Sequence, residues 1–113
     1  TYPEHCVAYA GTHDNDTTRG WFDALSEEEK HRVRVYLSSP NEEVVDRMLD
    51  RLLGSRAALT LVTPQDLLGL GSDHRMNTPG TTQGNWQWRL QQAQLEDDAP
   101  WHKLAEWTDR HGR

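Results

Sequence analysis

Two short apolar runs lie at residues 6–10 and 57–62, and in neither run do apolar and polar residues alternate. Apolar runs of this length without alternation predict strands that are buried on both faces. The segment between the runs has helical patterns, so the order predicts a strand–helix–strand unit with parallel pairing. Because a parallel sheet covered on both faces needs more than two strands, the pattern predicts a piece of a larger α/β unit.

Helix start signals occur in the segment between the two runs. Ser26 and Glu29 have the spacing of a capping box, in which each side chain bonds to the other residue's backbone N–H. We expect the helix that follows to carry three apolar residues on one face: Val33, Tyr36 and Leu37. Residues 44–53 then repeat apolar side chains at helical spacing, and Gly54 is a typical C-terminal stop.

The pattern after the second run is weaker. Shorter helices are predicted at residues 64–68, at residues 86–95 and from residue 98 onward. Residues 72–85 contain Pro79, Gly80 and Gly84, which interrupt helices and strands, so this segment is predicted to be a loop.

The composition excludes several classes of partner. The chain has 113 residues, of which 18 are acidic and 12 basic, and its net charge is −6. A nucleic-acid-binding surface needs clustered Lys and Arg, so this balance argues against nucleic acid. The sequence has no apolar run of roughly 18 residues and no basic patch, so no membrane contact is predicted. Cys6 is the only cysteine, and together with the lack of a signal-peptide pattern it predicts a cytoplasmic protein.

The most polar stretch, residues 10–18, directly follows the first predicted strand. In parallel α/β architectures, functional sites form at the carboxyl ends of the strands. His13 and Asp14 lie just past such an end, where an Asp can accept hydrogen bonds from two hydroxyls of a sugar ring and a His can donate another. These contacts strengthen as a glycosidic bond breaks, because the anomeric carbon becomes oxocarbenium-like.

Two other interpretations fit the same stretch. The residues can form an ordinary polar loop in which Asp14 or Asp16 caps the next helix. They also spell Asp-x-Asp, which holds a divalent metal in some sugar-nucleotide enzymes. An EF-hand is excluded, because a calcium loop counted from Asp14 puts Arg19 where glycine is required. The histidines show no metal-ligand spacing, and the local sequence leaves the choice between the remaining interpretations open.

A second polar cluster, residues 75–89, follows the second predicted strand and its short helix. We expect it to approach the same end of the sheet as the first cluster. Its Arg75 and Asn77 side chains offer directional hydrogen bonds. Trp86 and Trp88 can stack on sugar rings, but residues two apart in a helix point in different directions, so at most one of them can face a site.

Four separated segments carry a resemblance to a known family: residues 9–21 (YAGTHDNDTTRGW), 66–71 (DLLGLG), 75–81 (RMNTPGT) and 84–89 (GNWQWR). In this order they closely resemble the C-terminal end of 4-α-glucanotransferases, the amylomaltase or disproportionating enzymes of glycoside hydrolase family 77. The resemblance implies an α/β fold class, with residues 1–113 forming the last two strand–helix units of a (β/α)8 TIM barrel and no complete independent domain. It also implies α-1,4-glucans and maltooligosaccharides as substrates, and no cofactor.

The resemblance further implies roles for individual residues. The family cleaves an α-1,4 bond, keeps the glucan as a covalent intermediate and transfers it to another glucan, and it uses three carboxylates. Only the third, the Asp that stabilises the transition state, maps to this chain, at Asp14. His13 and Asn77 are implied to bind substrate, and no residue is implied to bind metal. Five more residues are implied to support the site: Asn15, Trp21, Arg75, Pro79 and Trp86.

The nucleophile and the acid/base of the family have no match in this sequence. A retaining enzyme needs two carboxyl groups about 5 Å apart, so we expect the chain to be inactive alone. The alternative is a non-catalytic carbohydrate-binding or interaction module built from barrel sequence. The strands near Val7 and Leu61 would lack barrel neighbours, so we expect the chain to pair with the remainder of its own barrel or to self-associate.

Overall fold

The computed structural model describes residues 5–113, and this part of the chain is rich in helices. Two strands are present, β1 (Val7–Tyr9) and β2 (Leu59–Leu61). The helices are α1 (Thr18–Asp23), α2 (Glu27–Leu37), α3 (Val44–Leu53), α4 (Pro64–Leu67), α5 (Gln92–Glu96) and α6 (Asp98–Arg110). Two short 3-10 turns complete the described elements, Asn41–Glu43 and Ser72–His74.

The two strands pair in parallel, with Ala8 opposite Thr60, which confirms the predicted strand–helix–strand unit. The prediction that both faces are buried is wrong. Ala8 is 3% exposed and packs against Leu52 and Ala57. The opposite face leaves four side chains about half exposed: Val7 at 48%, Tyr9 at 49%, Leu59 at 52% and Leu61 at 52%. Side chains alternate between the faces of a strand, and in the described part of the chain only one face is covered.

Helix α3 lies at the centre of the core and confirms the helix predicted at residues 44–53. It packs on α4 and α6 through five buried residues: Val45, Leu49, Leu53, Leu67 and Trp107. It packs on α1 and α2 through another buried cluster: Phe22, Leu37 and Val44. Because α1 begins at Thr18, the last residue of the polar stretch of residues 10–18, its packing on α3 fixes where that stretch ends.

Helix α2 begins at the predicted capping box. The Glu29 N–H donates to Ser26 Oγ at 3.2 Å, and the Ser26 N–H donates to Glu29 Oε1 at 3.1 Å. The predicted apolar face is wrong at Tyr36, which is 71% exposed, while Leu37 is buried. Adjacent helical residues are about 100° apart, so the face that buries Leu37 turns Tyr36 outward. There the Arg51 guanidinium lies 4.6 Å from the Tyr36 ring centroid.

The capping box gives α2 a pH dependence. Two hydrogen bonds with Ser26 lower the pKa of Glu29 from its ordinary value of 4.5. The larger effect comes from the backbone of Ser26 and the smaller one from its side chain. Because the folded pKa is the lower one, the box stabilises α2 fully above the unfolded pKa, and this contribution is lost as the pH falls through the folded pKa. We expect an NMR titration of the Glu29 carboxyl to give a midpoint below 4.5. Ser26→Ala should raise that midpoint, and an unchanged midpoint in the variant would contradict the assignment.

The C-terminal helix α6 is tied to α3 by charged contacts. Arg110 Nη1 lies 2.7 Å from Asp50 Oδ2, and His111 Nε2 lies 2.7 Å from Asp50 Oδ1. Lys103 Nζ donates to Asp46 at 3.0 Å. The C-terminal end of the chain therefore packs on α3, the helix on which α1 and α2 also pack.

The helix predicted at residues 86–95 is wrong for its first six positions, because α5 begins only at Gln92. Trp86 has a φ of 61°, a left-handed conformation that cannot continue a right-handed helix. Among residues 5–113, no helix is long and apolar enough to cross a membrane.

Candidate functional site

The loop that follows β1 and the loop of residues 75–87 meet beside each other. Asn77 Nδ2 donates to Asp14 Oδ1 at 2.7 Å, although the two residues are 63 positions apart in the chain. Parallel strands end at the same edge of a sheet, so the loops that follow them lie on the same side of the molecule. The structure thus brings together the two polar clusters that the strand order predicts to be close.

His13 contacts the other oxygen of the same carboxylate. Its Nε2 lies 3.4 Å from Asp14 Oδ2, and the side chains of His13 and Asp14 are 51% and 54% exposed. The His13 ring also packs against the Trp86 indole, with 4.8 Å between ring centroids. Asp14 is therefore held on one side by an amide, lies beside an imidazole on the other, and stays open to an incoming hydroxyl group.

Arg75 joins the two loops through backbone carbonyls. Its Nη2 donates to the carbonyl of Asp14 at 3.3 Å, and its Nε donates to the carbonyl of Asn77 at 3.1 Å. A planar guanidinium with fixed donor directions suits such a double contact better than a flexible ammonium. Arg75 therefore fixes the backbone positions from which Asp14 and Asn77 extend.

Trp86 is held in an unfavourable backbone conformation. Its φ is 61°, and its N–H donates to the carbonyl of Met76 at 2.6 Å. A bulky residue in this region costs about 1–3 kcal/mol, which the surrounding loop must offset. The N–H of Thr78 donates to Asn85 Oδ1 at 2.9 Å and helps to close the loop. The strained backbone keeps the indole 61% exposed beside His13.

Asn15 has a local role in the loop after β1. Its Oδ1 accepts hydrogen bonds from the N–H of Thr12 at 2.7 Å and from Thr12 Oγ1 at 3.1 Å. The N–H of Asn15 donates back to the carbonyl of Thr12 at 3.0 Å. These bonds close a tight turn that places His13 and Asp14 at its exposed tip.

Two predicted supporting residues lie away from this network. Trp21 lines a different groove on the molecule, which it shares with Tyr9, Tyr36 and Arg51. Pro79 is exposed in the loop of residues 75–87 and does not line the cleft beside His13. The structure thus brings together Asp14, His13, Asn77, Arg75 and Trp86, with Asn15 shaping the turn, and leaves Trp21 and Pro79 outside.

The cleft beside the network is small. It has a volume of about 260 Å³. Its lining comes from three segments: the first loop, which includes His13 and Asp16, residues 63–66 behind β2, and Arg75, Met76 and Trp86 of the second loop. Pockets that enclose a small ligand usually measure about 300–1,000 Å³. Asp14 does not line the cleft, and its carboxylate lies on the open surface beside it.

The cap of α1 is Thr17. The N–H of Gly20 donates to Thr17 Oγ1 at 3.1 Å, so the interpretation that Asp14 or Asp16 caps this helix is wrong. The two acidic side chains have other hydrogen-bond donors, Asn77 for Asp14 and Ser72 for Asp16. In residues 5–113, no group of three His, Cys, Asp or Glu side chains could hold a metal ion.

A buried acidic side chain near the site was not predicted from the sequence. Asp66 of α4 is 6% exposed and accepts hydrogen bonds from the N–H of Thr18 at 2.8 Å and from Thr18 Oγ1 at 2.7 Å. These bonds tie the start of α1 to the segment behind β2. The sequence predicts the short helix at residues 64–68, but this local pattern says nothing of a partner 48 positions away.

Comparison with known proteins identifies the family of the chain. A sequence model described as 4-alpha-glucanotransferase matches residues 1–95. The chain belongs to the 4-alpha-glucanotransferase family. This finding confirms the resemblance that the four sequence segments carry.

Individual 4-alpha-glucanotransferases align with nearly the whole chain. The chloroplastic/amyloplastic enzyme of Solanum tuberosum is 44% identical over 99% of this chain and 20% of its own length. The enzyme of Thermus thermophilus is 41% identical over 96% of this chain and 24% of its own length. A solved amylomaltase from Streptococcus agalactiae, in complex with acarbose, superimposes with a TM-score of 0.91 at 39% identity, over 99% of this chain and 23% of that one. The chain therefore spans about a fifth to a quarter of the length of these 4-alpha-glucanotransferases.

Proposed function

We propose that these residues are the C-terminal part of the catalytic domain of a 4-α-glucanotransferase, and contribute the last two strand–helix units of a (β/α)8 barrel. The parallel pairing of β1 and β2 across intervening helices is the repeat of such a barrel. The exposed face formed by Val7, Tyr9, Leu59 and Leu61 fits an interior that further strands complete. We call the longer protein the parent enzyme.

In the parent enzyme, Asp14 stabilises the transition state. Cleavage of the α-1,4 bond gives the anomeric carbon positive charge, and a fixed carboxylate near that sugar ring favours the charged state over the ground state. Asp14 also accepts hydrogen bonds from ring hydroxyls, while His13 and Asn77 bind the same glucose unit. The glucan is then passed to the 4-hydroxyl of another glucan by a retaining route with a covalent intermediate.

The observation that carries this proposal is the hydrogen bond from Asn77 to Asp14, 2.7 Å long. It fixes one oxygen of the carboxylate and leaves the other toward His13, so the charge is held in one position before substrate arrives. A preorganised charge of this kind costs no reorganisation during the reaction, which is the main source of electrostatic catalysis. The exposure of Asp14 and His13 gives a glucan access to the pair.

We assign the nucleophile and the acid/base to the remainder of the parent enzyme, because no residue of this sequence matches them. Retaining cleavage needs those two carboxyl groups about 5 Å apart, and Asp14 is neither of them. We therefore expect the parent enzyme to convert maltotriose into glucose and longer maltooligosaccharides, and the isolated chain to leave maltotriose unchanged. Thin-layer or anion-exchange chromatography of the products measures both reactions at equal protein concentration. Turnover by the isolated chain would overturn the proposal.

A carbohydrate-binding module without catalysis is the second candidate. The exposed Trp86 indole favours it, because an aromatic face beside hydrogen-bonding side chains is suited to a sugar ring. Calorimetric titration of the isolated chain with maltoheptaose separates the two candidates. Weak or absent binding supports an incomplete catalytic groove, and tight binding by the chain alone supports a module.

The assembly of the chain is also part of the proposal. The chain is expected to dock on the remainder of its own barrel or, when isolated, to self-associate through its open strand face. A cytoplasmic location stays a prediction, and the name of the Solanum tuberosum relative assigns that protein to the chloroplast or amyloplast.

A further inference from the structure

Asp16 is an acidic residue next to the site that the proposed chemistry does not use. Its side chain is 22% exposed, and its Oδ2 accepts a hydrogen bond from Ser72 Oγ at 2.7 Å. Its Oδ1 accepts from the N–H of Thr17 at 2.7 Å. Both carboxylate oxygens are thus engaged by the protein, and the helix cap beside Asp16 belongs to Thr17.

The contact between Asp16 and Ser72 is packed against the backbone of α1. A Cβ placed on Gly20 would lie 2.5 Å from Asp16 Oδ1 and would overlap Ser72 Oγ. Only glycine leaves room for both groups at this point of the helix. The Asp16–Ser72 pair therefore has a defined position, although it lies near the surface.

Asp16 also faces Arg75. Arg75 Nη1 lies 4.0 Å from Asp16 Oδ2, and the Arg75 side chain is 25% exposed. The other nitrogens of the same guanidinium donate to the backbone carbonyls of Asp14 and Asn77. The guanidinium thus connects the Asp16 carboxylate to the two residues whose side chains form the central hydrogen bond of the site.

We propose that Asp16 is a positioning residue, which holds Arg75 through charge and thereby fixes Asp14 and Asn77 in their working geometry. This inference rests on the proposed function of Asp14. The Asp16 carboxylate attracts the guanidinium across 4.0 Å and thereby limits its rotation. The remaining N–H groups then keep their direction toward the two carbonyls. Asp16 contacts no substrate in this scheme and acts through Arg75 alone.

A double-mutant cycle in the parent enzyme tests the inference. We expect Asp16→Asn to lower kcat for maltotriose about 10- to 100-fold, because displacements on the order of 1 Å in a supporting contact have effects of this size. The KM should change much less than kcat. Arg75→Met should lower kcat at least as far, and Asp16→Asn added to Arg75→Met should change kcat by less than about twofold, since the two changes remove one connection.

Two more variants provide a second probe of the contact and a control. Ser72→Ala removes one hydrogen bond to the carboxylate without changing any charge, and should lower kcat about three- to tenfold. If Asp16→Asn fails to fold, Ser72→Ala replaces it in the double-mutant cycle with Arg75→Met. Asp73→Asn is the matched control, because Asp73 is an exposed acid in the same 3-10 turn as Ser72. It should keep the parental kcat.

The outcomes separate this inference from the proposed function. If Asp14→Asn abolishes transfer while the effects of Asp16→Asn and Arg75→Met multiply, Asp14 keeps its role and the positioning inference is wrong. The inference is also wrong if Asp16→Asn keeps more than about half of kcat, because a misplaced supporting group causes a far larger loss. If Asp14→Asn keeps the parental rate, the proposed function itself fails, and the inference fails with it.

Discussion

Replacement of Asp14 by Asn in the parent enzyme is expected to lower kcat for maltotriose about a thousandfold, the size of effect seen when a preorganised electrostatic contact is removed. Asparagine keeps the side-chain oxygen that accepts the hydrogen bond from Asn77. It removes the negative charge that, in the proposed role, favours the oxocarbenium-like state. The substitution therefore changes the charge of the site and leaves its local geometry almost intact.

The same substitution should barely affect folding. The Asp14 side chain is 54% exposed, and surface substitutions usually change the free energy of unfolding by less than about 0.5 kcal/mol. Initial rates of maltotriose conversion and a circular-dichroism melt measure the two effects. Asp23→Asn is the matched control, because Asp23 is an acid of similar exposure, 59%, in nearby α1. A variant at Asp14 that kept more than a tenth of kcat, about a hundred times the expected rate, would contradict the assigned role.

Replacement of Asp66 by Ala is expected to give the largest local loss of stability. Asp66 is buried, and the alanine would leave the N–H and the hydroxyl of Thr18 without their acceptors. Unsatisfied buried donors and lost hydrogen bonds to a charged group cost about 3 kcal/mol together. Because every 1.4 kcal/mol is about tenfold in an equilibrium constant, opening of the first turn of α1 should become about 100-fold more frequent.

Hydrogen exchange in the parent enzyme measures this opening directly. A peptide that covers the start of α1 should lose protection by about 100-fold in Asp66→Ala. Thr18→Ser is the matched control, because serine keeps both donors to Asp66, and it should retain protection within a few-fold. Protection that is equal in Asp66→Ala and the unaltered enzyme would show that the Thr18–Asp66 contact does not hold the two segments together.

Local features of the fold were predictable because their causes lie within a few residues. The capping box at Ser26 and Glu29 involves two backbone N–H groups of one helical turn, so the sequence specifies it directly. The apolar spacing of residues 44–53 likewise identifies α3, since helical periodicity places those side chains on a common face. Where a prediction depended on what covers an element, it was less successful. Tyr36 is exposed because the helix face that buries Leu37 turns it outward. The uncovered face of β1 and β2 is exposed because burial of a sheet face depends on the elements that pack on it and not on the strands themselves.

The candidate site shows the same division. His13 and Asp14 could be selected because they follow a strand end, and Asn77 and Arg75 because they lie in a segment that resembles the family. Asp16 and Asp66 lie in such segments too, but the resemblance assigns them no role, and the local sequence does not distinguish them from ordinary loop and cap residues. Their partners, Ser72 and Thr18, are 56 and 48 positions away in the chain. A sequence pattern contains no information on such a pairing unless the packing that brings the segments together is known.

The sequence by itself determined the start of α2, the extent of α3, the two parallel strands and the family. Each of these depends on short-range backbone bonding, on periodicity, or on motifs in a fixed order. Only the tertiary structure decided that Thr17 caps α1, that Trp86 leaves the helical conformation, and that Arg75 connects Asp14, Asn77 and Asp16. These features depend on distances between loops that follow different strands. Such distances are fixed by the pairing of β1 with β2 and by the packing of α1 on α3.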